Sequence, residues 1–356
     1  MQFGILFTSH PNADAEPYPH RDVHRRVTEE IVEADRLGYD IAWIAEHHFS
    51  NAYGIMPDPF SYIAYLAPQT GNIRLGTAVM TLPVYNPVRI AENAGFIDIL
   101  TEGRFVLGIG SGYRPYEFEG LGVDFDSRRD IQEEAIPILL DALHRKRIAH
   151  KGAHFAFDIP EPYEIFPVPV QQPHPPLYMA GGTERSIGTA GRFGFGLMLS
   201  TLTAIDALAD QVAHYKAALR DAPAPWRDNP AAGHVDIARW VYVAESDEQA
   251  KAESEDGIIR HLGHFLGKAT AGYLGSISEK EESMALDYDD LAASTLLHGA
   301  PETVAAKIRR LRDEAGMTSL LLHFPPYYGT ENAKKSLRLF AQHVMPEFKG
   351  AAEAAD

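Results

Sequence analysis

Three consecutive polar residues, Glu46, His47 and His48, are the first candidates for chemistry in this sequence. They follow the apolar run 41–45 (Ile-Ala-Trp-Ile-Ala), which is typical of a strand buried on both faces of a parallel sheet. Enzymes built on parallel sheets place their chemistry at the carboxyl ends of the strands. Because imidazole exchanges protons near neutral pH, the histidine pair could supply a general base. The other interpretation is two hydrogen-bonded loop histidines without a catalytic role.

Two glycine-containing segments follow later apolar runs. Residues 110–112 read Gly-Ser-Gly, and residues 181–183 read Gly-Gly-Thr before a helical pattern. The second segment has the form of a phosphate site, because small residues let the backbone approach an anion and a helix start presents free N–H groups. Arg128 and Arg129, at the start of another predicted helix, could add guanidinium groups. Chain turns, close packing and a solvated helix start are the alternative explanations of these features.

A metal site would be a competing use of the histidines. The sequence has no His-Glu-x-x-His motif, and adjacent residues of an extended segment, such as His47 and His48, point apart. His261 and His264 have the spacing of one helix face, but no obvious carboxylate ligand lies beside them in the local sequence. The chain also has no cysteine, which excludes disulfides and thiolate chemistry. We therefore predict no metal.

The overall composition narrows the possible partners and location. Of the 356 residues, 45% are hydrophobic and 23% are charged, so a large core can form. The formal net charge of −17 argues against binding to nucleic acid or to an anionic membrane. The first residues lack the pattern of a signal peptide, and no apolar run is long enough to span a membrane. We therefore expect a cytoplasmic protein.

Eight apolar runs alternate with helical patterns along the chain. They lie at residues 3–8, 41–45, 73–80, 104–109, 176–180, 196–200, 235–244 and 319–324. Helical connections make neighbouring strands parallel, and eight parallel strands can close into a barrel. We therefore predict an α/β fold, a (β/α)8 TIM barrel formed as a single domain by residues 1–349, with a frayed tail at 350–356. A doubly wound open sheet is the alternative.

Two segments interrupt this alternation. Residues 149–176 are rich in proline and include short β-like pieces at 155–157 and 163–166, and we expect them to form an excursion over the C-terminal rim of the barrel. Residues 267–298 have weak periodicity and are expected to form a mobile loop. The barrel should bring the strand ends together at that rim, including Thr81, Ser200 and His323.

Several separate motifs, in order along the chain, resemble those of the bacterial luciferase-like flavin-dependent monooxygenases. They include Glu-His-His-Phe at 46–49, Leu-Gly-Thr-Ala at 75–78, Asn-Pro-Val-Arg at 86–89, Gly-Arg-Phe at 103–105 and Val-Met-Pro at 344–346. The resemblance extends over nearly the whole chain. It implies an oxidoreductase with a barrel fold.

The resemblance also implies partners. A separate NAD(P)H-dependent reductase would supply reduced FMN as a diffusible co-substrate, and one atom of O2 would be inserted into a small organic substrate. Family members of this kind commonly pair through the helices that follow the early strands, so a homodimer is expected.

Carried over by position, the resemblance assigns roles to particular residues. His47 matches the catalytic histidine, with Glu46 and His48 beside it. Ala78 and Val79 match a non-prolyl cis peptide beneath the flavin ring. The remaining matches are predicted cofactor contacts, namely Gly110, Ser111, Gly112 and Tyr113 beside the ring and phosphate, Arg129, Gly182, Thr183 and Ser186 at the phosphate, and Ser200 at the ring.

Two departures limit what the resemblance implies. Gly110 and Ser111 stand where the luciferase has a reactive cysteine and a phosphate-binding arginine, so neither role transfers and light emission is not implied. Residues 267–297 match the family poorly, which leaves the substrate open. A deazaflavin-dependent oxidoreductase that transfers hydride without O2 is one alternative. The other is a non-catalytic partner subunit, which in the luciferase has lost the histidine corresponding to His47.

Overall fold

Eight parallel strands form a closed barrel in the computed structural model, which describes residues 1–51, 53–266 and 287–350. The strands are β1 (Gln2–Phe7), β2 (Ile41–Ile44), β3 (Arg74–Thr77), β4 (Phe105–Gly110), β5 (Leu177–Ala180), β6 (Gly196–Leu199), β7 (Val235–Val243) and β8 (Ser319–His323). Each pairs with its neighbour in this order, and β8 closes the ring by pairing with β1. The predicted (β/α)8 barrel is confirmed.

Helices connect and surround the strands. They are α1 (Pro19–Arg36), α2 (Pro59–Leu66), α3 (Pro87–Leu100), α4 (Pro115–Leu121), α5 (Arg128–His144), α6 (Glu184–Arg192), α7 (Ile205–Arg220), α8 (Ala224–Arg227), α9 (Asp247–Leu266), α10 (Tyr288–Ser294), α11 (Pro301–Ala315), α12 (Thr330–His343) and α13 (Met345–Phe348). Short strands outside the ring are Met80–Thr81, Ala149–Lys151, Ala156–Asp158 and Leu297–Gly299. None of the described helices combines the length and the apolar composition that crossing a membrane requires.

Helix α1 illustrates why these segments pack onto the barrel. Val23, Val27 and Ile31 are buried and recur every four residues, so they form one apolar stripe. The chain then leaves the helix at Gly38, whose φ of 80° favours glycine.

A layer of large side chains closes the interior of the barrel below the rim. The rings of Trp43 and Tyr178 meet edge to face, with centroids 5.2 Å apart. A Cβ atom would lie 2.6 Å from the Trp43 indole at Gly4 and 2.5 Å from it at Gly76, so both positions must be glycine for the indole to fit. The surrounding interior side chains are Ile41, Val106, Met198, Ala238 and Leu321. Above this floor the interior opens into a cavity.

The later part of the proline-rich segment 149–176 lies at the amino-terminal end of the barrel, so its expected position over the C-terminal rim is wrong for that part. The hairpin at the start of the segment packs against α5, where Glu134 accepts from the backbone N–H of Phe155. Gln171 donates hydrogen bonds from its backbone and side chain to Asp98 in the last turn of α3. It also donates to the carbonyl of Phe105, the first residue of β4. The reason is connectivity, because a segment that joins a helix to the next strand must end where that strand begins. Of the two predicted β-like pieces, only the first coincides with a strand.

The excursion over the C-terminal rim is instead carried by residues 111–127, which contain helix α4. The predicted mobile loop is wrong for residues 288–298, which contain α10 and most of the short strand Leu297–Gly299 that pairs with β7. Its other part, residues 267–286, lies outside the described residues, as does the predicted tail after Gly350.

Candidate active site

A cavity of about 230 Å³ opens at the carboxyl ends of the barrel strands. Its lining includes every residue that the resemblance assigns to the cofactor, together with two of the three predicted catalytic residues: Glu46, His47, Ala78, Val79, Gly110, Ser111, Gly112, Tyr113, Arg129, Gly182, Thr183, Ser186 and Ser200. His48 is described but does not line the cavity. The structure thus brings these side chains together, while the roles assigned to them stay predictions.

Glu46 is a buried carboxylate that receives hydrogen bonds from three groups of the protein. The backbone N–H of Thr81 (2.9 Å), the hydroxyl of Tyr85 (3.0 Å) and Nε2 of His48 (2.8 Å) all contact its oxygens. The hydrogen bond to Glu46 raises the pKa of His48. The His48 side chain therefore turns toward Glu46 and does not line the cavity.

His47 is held by Glu117, a residue that the sequence analysis did not identify. Nδ1 of His47 lies 3.1 Å from Oε1 of Glu117, and the same oxygen accepts from the backbone N–H of His48 at 3.0 Å. Burial acts to raise the pKa of Glu117, but the hydrogen bonds from the two histidines outweigh it and lower that pKa. Because an ionised carboxylate only accepts, this contact favours the His47 tautomer that donates from Nδ1, in which Nε2 is the nitrogen that can accept a proton.

The side of the cavity at the ends of β4 and β5 carries positive charge. We call it the basic arc, and it consists of Arg128, Arg129, Gly182, Thr183 and Ser186. Arg128 donates to the carbonyl of Phe125 at 2.7 Å, and its buried Nε has no partner among the described residues. Arg129 forms no ion pair within the described part of the chain. Both guanidinium groups can therefore take an anionic ligand.

The start of helix α6 belongs to the basic arc. Thr183 caps the helix in a reciprocal pair with Ser186, in which each backbone N–H donates to the other residue's hydroxyl oxygen. A Cβ atom at Gly181 would lie 2.8 Å from Oγ of Ser186, so the turn into the helix requires glycine. The other N–H groups of the first turn and the positive end of the helix dipole are directed to this side.

Close packing explains the glycines at the end of β4. A Cβ atom at Gly110 would lie 2.6 Å from Val79, and one at Gly112, whose φ is 70°, would lie 2.6 Å from the ring of Phe118. The structure therefore supports close packing at a crowded rim, one of the explanations open from the sequence, for these two glycines. The neighbouring peptide between Ala78 and Val79 is cis, as the resemblance implied.

The opposite side of the cavity, near β7, β8 and β1, is built from rings and aliphatic groups. We call it the aromatic arc, and it consists of Tyr53, Trp240, Phe265, Leu321 and His323. All five side chains are buried. His10 and His261 pack behind them, with ring centroids 5.5 Å apart. Burial lowers the pKa of His323 to about 3 and, with the neighbouring histidines, that of His10 to about 3, so these imidazoles are neutral at physiological pH.

Some of these lining residues could have been placed at the site from the sequence, and others could not. Pro115 and Gly122 are typical of the start and stop of a helix, so α4, which carries Glu117, could have been predicted on the rim. Trp240 stands two residues after Ala238 on the same face of a predicted strand, which indicates an inward direction. Tyr53 lies in an irregular loop and had no such signal.

The profile of the family described as "Luciferase-like monooxygenase" matches residues 1–319 of this chain. Two relatives match at 30% identity over most of their length. A limonene 1,2-monooxygenase from Rhodococcus erythropolis aligns with 98% of this chain and 87% of its own length. A 4-hydroxyprotoasukamycin monooxygenase from Streptomyces nodosus subsp. asukaensis aligns with 89% and 85%.

Two further relatives match over a smaller share of their length. The oxygenase component of a flavin-dependent trigonelline monooxygenase from Acinetobacter baylyi is 29% identical over 66% of this chain and 65% of its own. An uncharacterized protein of Sinorhizobium fredii is 38% identical over 51% of this chain and 50% of its own.

Solved structures share the fold. The oxygenating constituent of 3,6-diketocamphane monooxygenase from Pseudomonas putida, in complex with FMN, has a TM-score of 0.79 at 23% identity, with 98% of both chains covered. An F420-dependent secondary alcohol dehydrogenase has a TM-score of 0.72 at 16% identity, with 97% of this chain and 98% of the other covered. At these identities the likeness shows the fold alone.

Proposed function

Because this chain belongs to the luciferase-like monooxygenase family, and is therefore an oxidoreductase, we propose that it is the oxygenase of a two-component FMN-dependent system. Reduced FMN, O2 and a small organic substrate would give oxidised FMN, water and the substrate carrying one oxygen atom. The observation that carries the proposal is that one cavity holds both an imidazole fixed by a carboxylate and two arginines without an ion-pair partner among the described residues.

The basic arc fits the phosphate of FMN. The unpartnered Nε of Arg128, the guanidinium of Arg129 and the first turn of α6 are donors on one side of the cavity, and a phosphate supplies the acceptors that they lack. The ring would be bordered by Ala78, Val79, Gly110, Ser111, Gly112, Tyr113 and Ser200. When bound, reduced flavin supplies the electrons that activate O2.

His47 would act as the general base, with Glu117 as the residue that positions it. The hydrogen bond to Glu117 keeps the Nδ1 proton in place, so that Nε2 accepts a proton from the substrate or from a reacting group. The buried aromatic arc beside His47 keeps water away from the reaction, which favours oxygen insertion over release of hydrogen peroxide.

The reductant would come from a separate NAD(P)H-dependent flavin reductase that meets this chain transiently. The relative from Acinetobacter baylyi, which is named as an oxygenase component, supports this division. A reductase that draws on NAD(P)H would place both components in the cytoplasm.

We also propose that the chain forms a homodimer through α2 and α3. Exposed apolar side chains on these helices, Tyr65, Phe96, Ile99 and Leu100, form the apolar surface that such pairing would cover. Light scattering at micromolar concentration should give the mass of a dimer, and Phe96→Asp should shift it toward that of a monomer. A monomeric wild-type protein would exclude the pairing.

A deazaflavin-dependent hydride transfer is the second candidate, because the F420-dependent dehydrogenase has the same fold. Anaerobic titration of the purified chain with reduced FMN and with reduced deazaflavin separates the two. We expect tighter binding of reduced FMN and, on admission of air, oxygen consumption by the chain with photoreduced FMN. Tighter binding of the deazaflavin without oxygen consumption would overturn the proposal.

A further inference from the structure

The aromatic arc forms a continuous wall that begins beside His47. The Tyr53 ring lies 4.7 Å from the His47 ring, between centroids, and 5.4 Å from that of Phe265. Phe265 in turn lies 6.0 Å from Trp240, and Trp240 stacks on His323 at 6.1 Å with an angle of 29° between the planes. A molecule that rests against this wall is therefore next to the proposed base.

Among the described residues, the ionised groups near this wall already have partners or lie outside the cavity. Glu46 and Glu117, the two carboxylates of the described lining, are engaged by the hydrogen bonds given above. The Arg114 guanidinium stacks on Tyr53 at 4.1 Å from the ring centre but does not line the cavity. A carboxylate or ammonium group placed against the aromatic arc would lose its water without gaining a counter-ion.

A neutral hydrogen-bonding group is present in the wall instead. His323 faces the same cavity, and burial lowers its pKa to about 3, so it is an uncharged donor and acceptor. An oxygen atom of a ligand beside His323 can accept a hydrogen bond from its imidazole N–H.

We infer that the aromatic arc is the substrate subsite and that it selects an uncharged, predominantly apolar molecule with one hydrogen-bond acceptor, such as a ketone oxygen. Carboxylates and ammonium ions of similar size are excluded. This inference deepens the proposed monooxygenase function and rests on it.

Three probes that share one cyclohexyl ring test the selection: cyclohexyl methyl ketone, cyclohexanecarboxylate and cyclohexylmethylammonium. Their affinities are measured by anaerobic calorimetric titration, once with the chain alone and once with reduced FMN present. We expect the ketone to bind at least about ten-fold more tightly than either ion. Similar affinities for all three probes, including no detectable binding of any, would overturn the inference.

His323→Phe tests the imidazole donor, and His343→Phe, exposed at the end of α12, is the control. We expect His323→Phe to weaken ketone binding about 2- to 10-fold, the effect of one lost neutral hydrogen bond. Its affinity for reduced FMN should match that of the control. An equal ketone affinity in both variants removes His323 from the subsite.

The same titrations separate this inference from the proposed function. If the chain binds no reduced FMN but prefers the ketone, the substrate subsite is supported and the FMN-dependent oxygenase function is contradicted. If the chain binds reduced FMN but does not discriminate among the probes, the oxygenase function is supported and the substrate subsite is contradicted.

Discussion

The basic arc and the aromatic arc face each other across one cavity and have opposite physical character. The basic arc presents permanently charged guanidinium groups and a helix start, which suit a ligand that brings its own negative charge. The aromatic arc presents apolar rings and one imidazole, that of His323, which burial keeps neutral, so a ligand there is held by contact area and by single hydrogen bonds. On the proposed assignments, this difference teaches that substitutions in one arc should change cofactor affinity and substitutions in the other should change substrate selection.

The strongest test of this separation is His47→Ala. Loss of a general base typically lowers a rate by about 10²–10⁴-fold, and we expect that decrease in oxygenated product. Affinity for reduced FMN should be unchanged, because the basic arc is intact, and consumed oxygen should appear as hydrogen peroxide. Product and peroxide are measured together, with His48→Ala as the milder comparison. A His47→Ala protein that still converts all the oxygen it consumes into oxygenated product would contradict the assignment of His47 as the general base.

Arg129→Ala should affect only the basic arc. We expect reduced FMN to bind about 1.5–3 kcal/mol more weakly, the value of a charge-assisted hydrogen bond, while the selection among the cyclohexyl probes is kept. Arg145→Ala, at the other end of α5, is the matched control. Unchanged flavin affinity in the folded variant would remove Arg129 from the phosphate site.

Glu117→Gln should have a smaller effect on turnover. A neutral amide still accepts from Nδ1 of His47, but the charge-assisted part of the hydrogen bond is lost, which corresponds to about a ten-fold lower rate of product formation. Glu119→Gln, exposed on the same helix, is the control. The product-to-peroxide ratio is measured beside the melting temperature. A change in melting temperature alone would mean that Glu117 has only a structural role.

The smallest expected effect is on acid stability. Burial lowers the pKa of His323 to about 3, whereas an unfolded histidine titrates near its ordinary value of about 6.5. Between these values the unfolded chain binds the extra proton, so the free energy of unfolding should fall by up to about 1.4 kcal/mol per pH unit as the pH decreases. Chemical denaturation at pH 7 and 5.5 should show a flatter pH dependence for His323→Asn. Arg129→Ala should leave that dependence unchanged, because arginine does not titrate in this range.

The parts of the structure that repeat along the chain could be predicted, and the contacts between distant parts could not. The barrel could be predicted because eight apolar runs alternate with helical patterns along the chain. The two-residue period of a strand also indicates which of its side chains face inward, as for Ala238 and Trp240. Glu117 lies 70 residues from His47, and nothing in either local sequence indicates that they meet. The same holds for the proline-rich segment, whose position depends on Gln171 contacting Asp98.

The glycines at the rim show a second limit of the sequence. A glycine such as Gly110 allows either a ligand or a neighbouring side chain to approach the backbone, and only the structure shows that Val79 packs against it. The direction of the His48 side chain, which turns toward Glu46, could not be predicted either. His48 lies beyond the end of β2, where the alternation of a strand no longer indicates which way a side chain points.

The layer around Trp43, for which Gly4 and Gly76 make room, affects how ligands enter and leave the cavity. Because these side chains fill the barrel interior below the rim, the described residues leave the cavity open at the strand ends. On the proposed function, cofactor, substrate and product would share that entrance. The molecule that lies deepest would then have to bind first and leave last. The packing around one indole would thus determine the order in which ligands bind and are released.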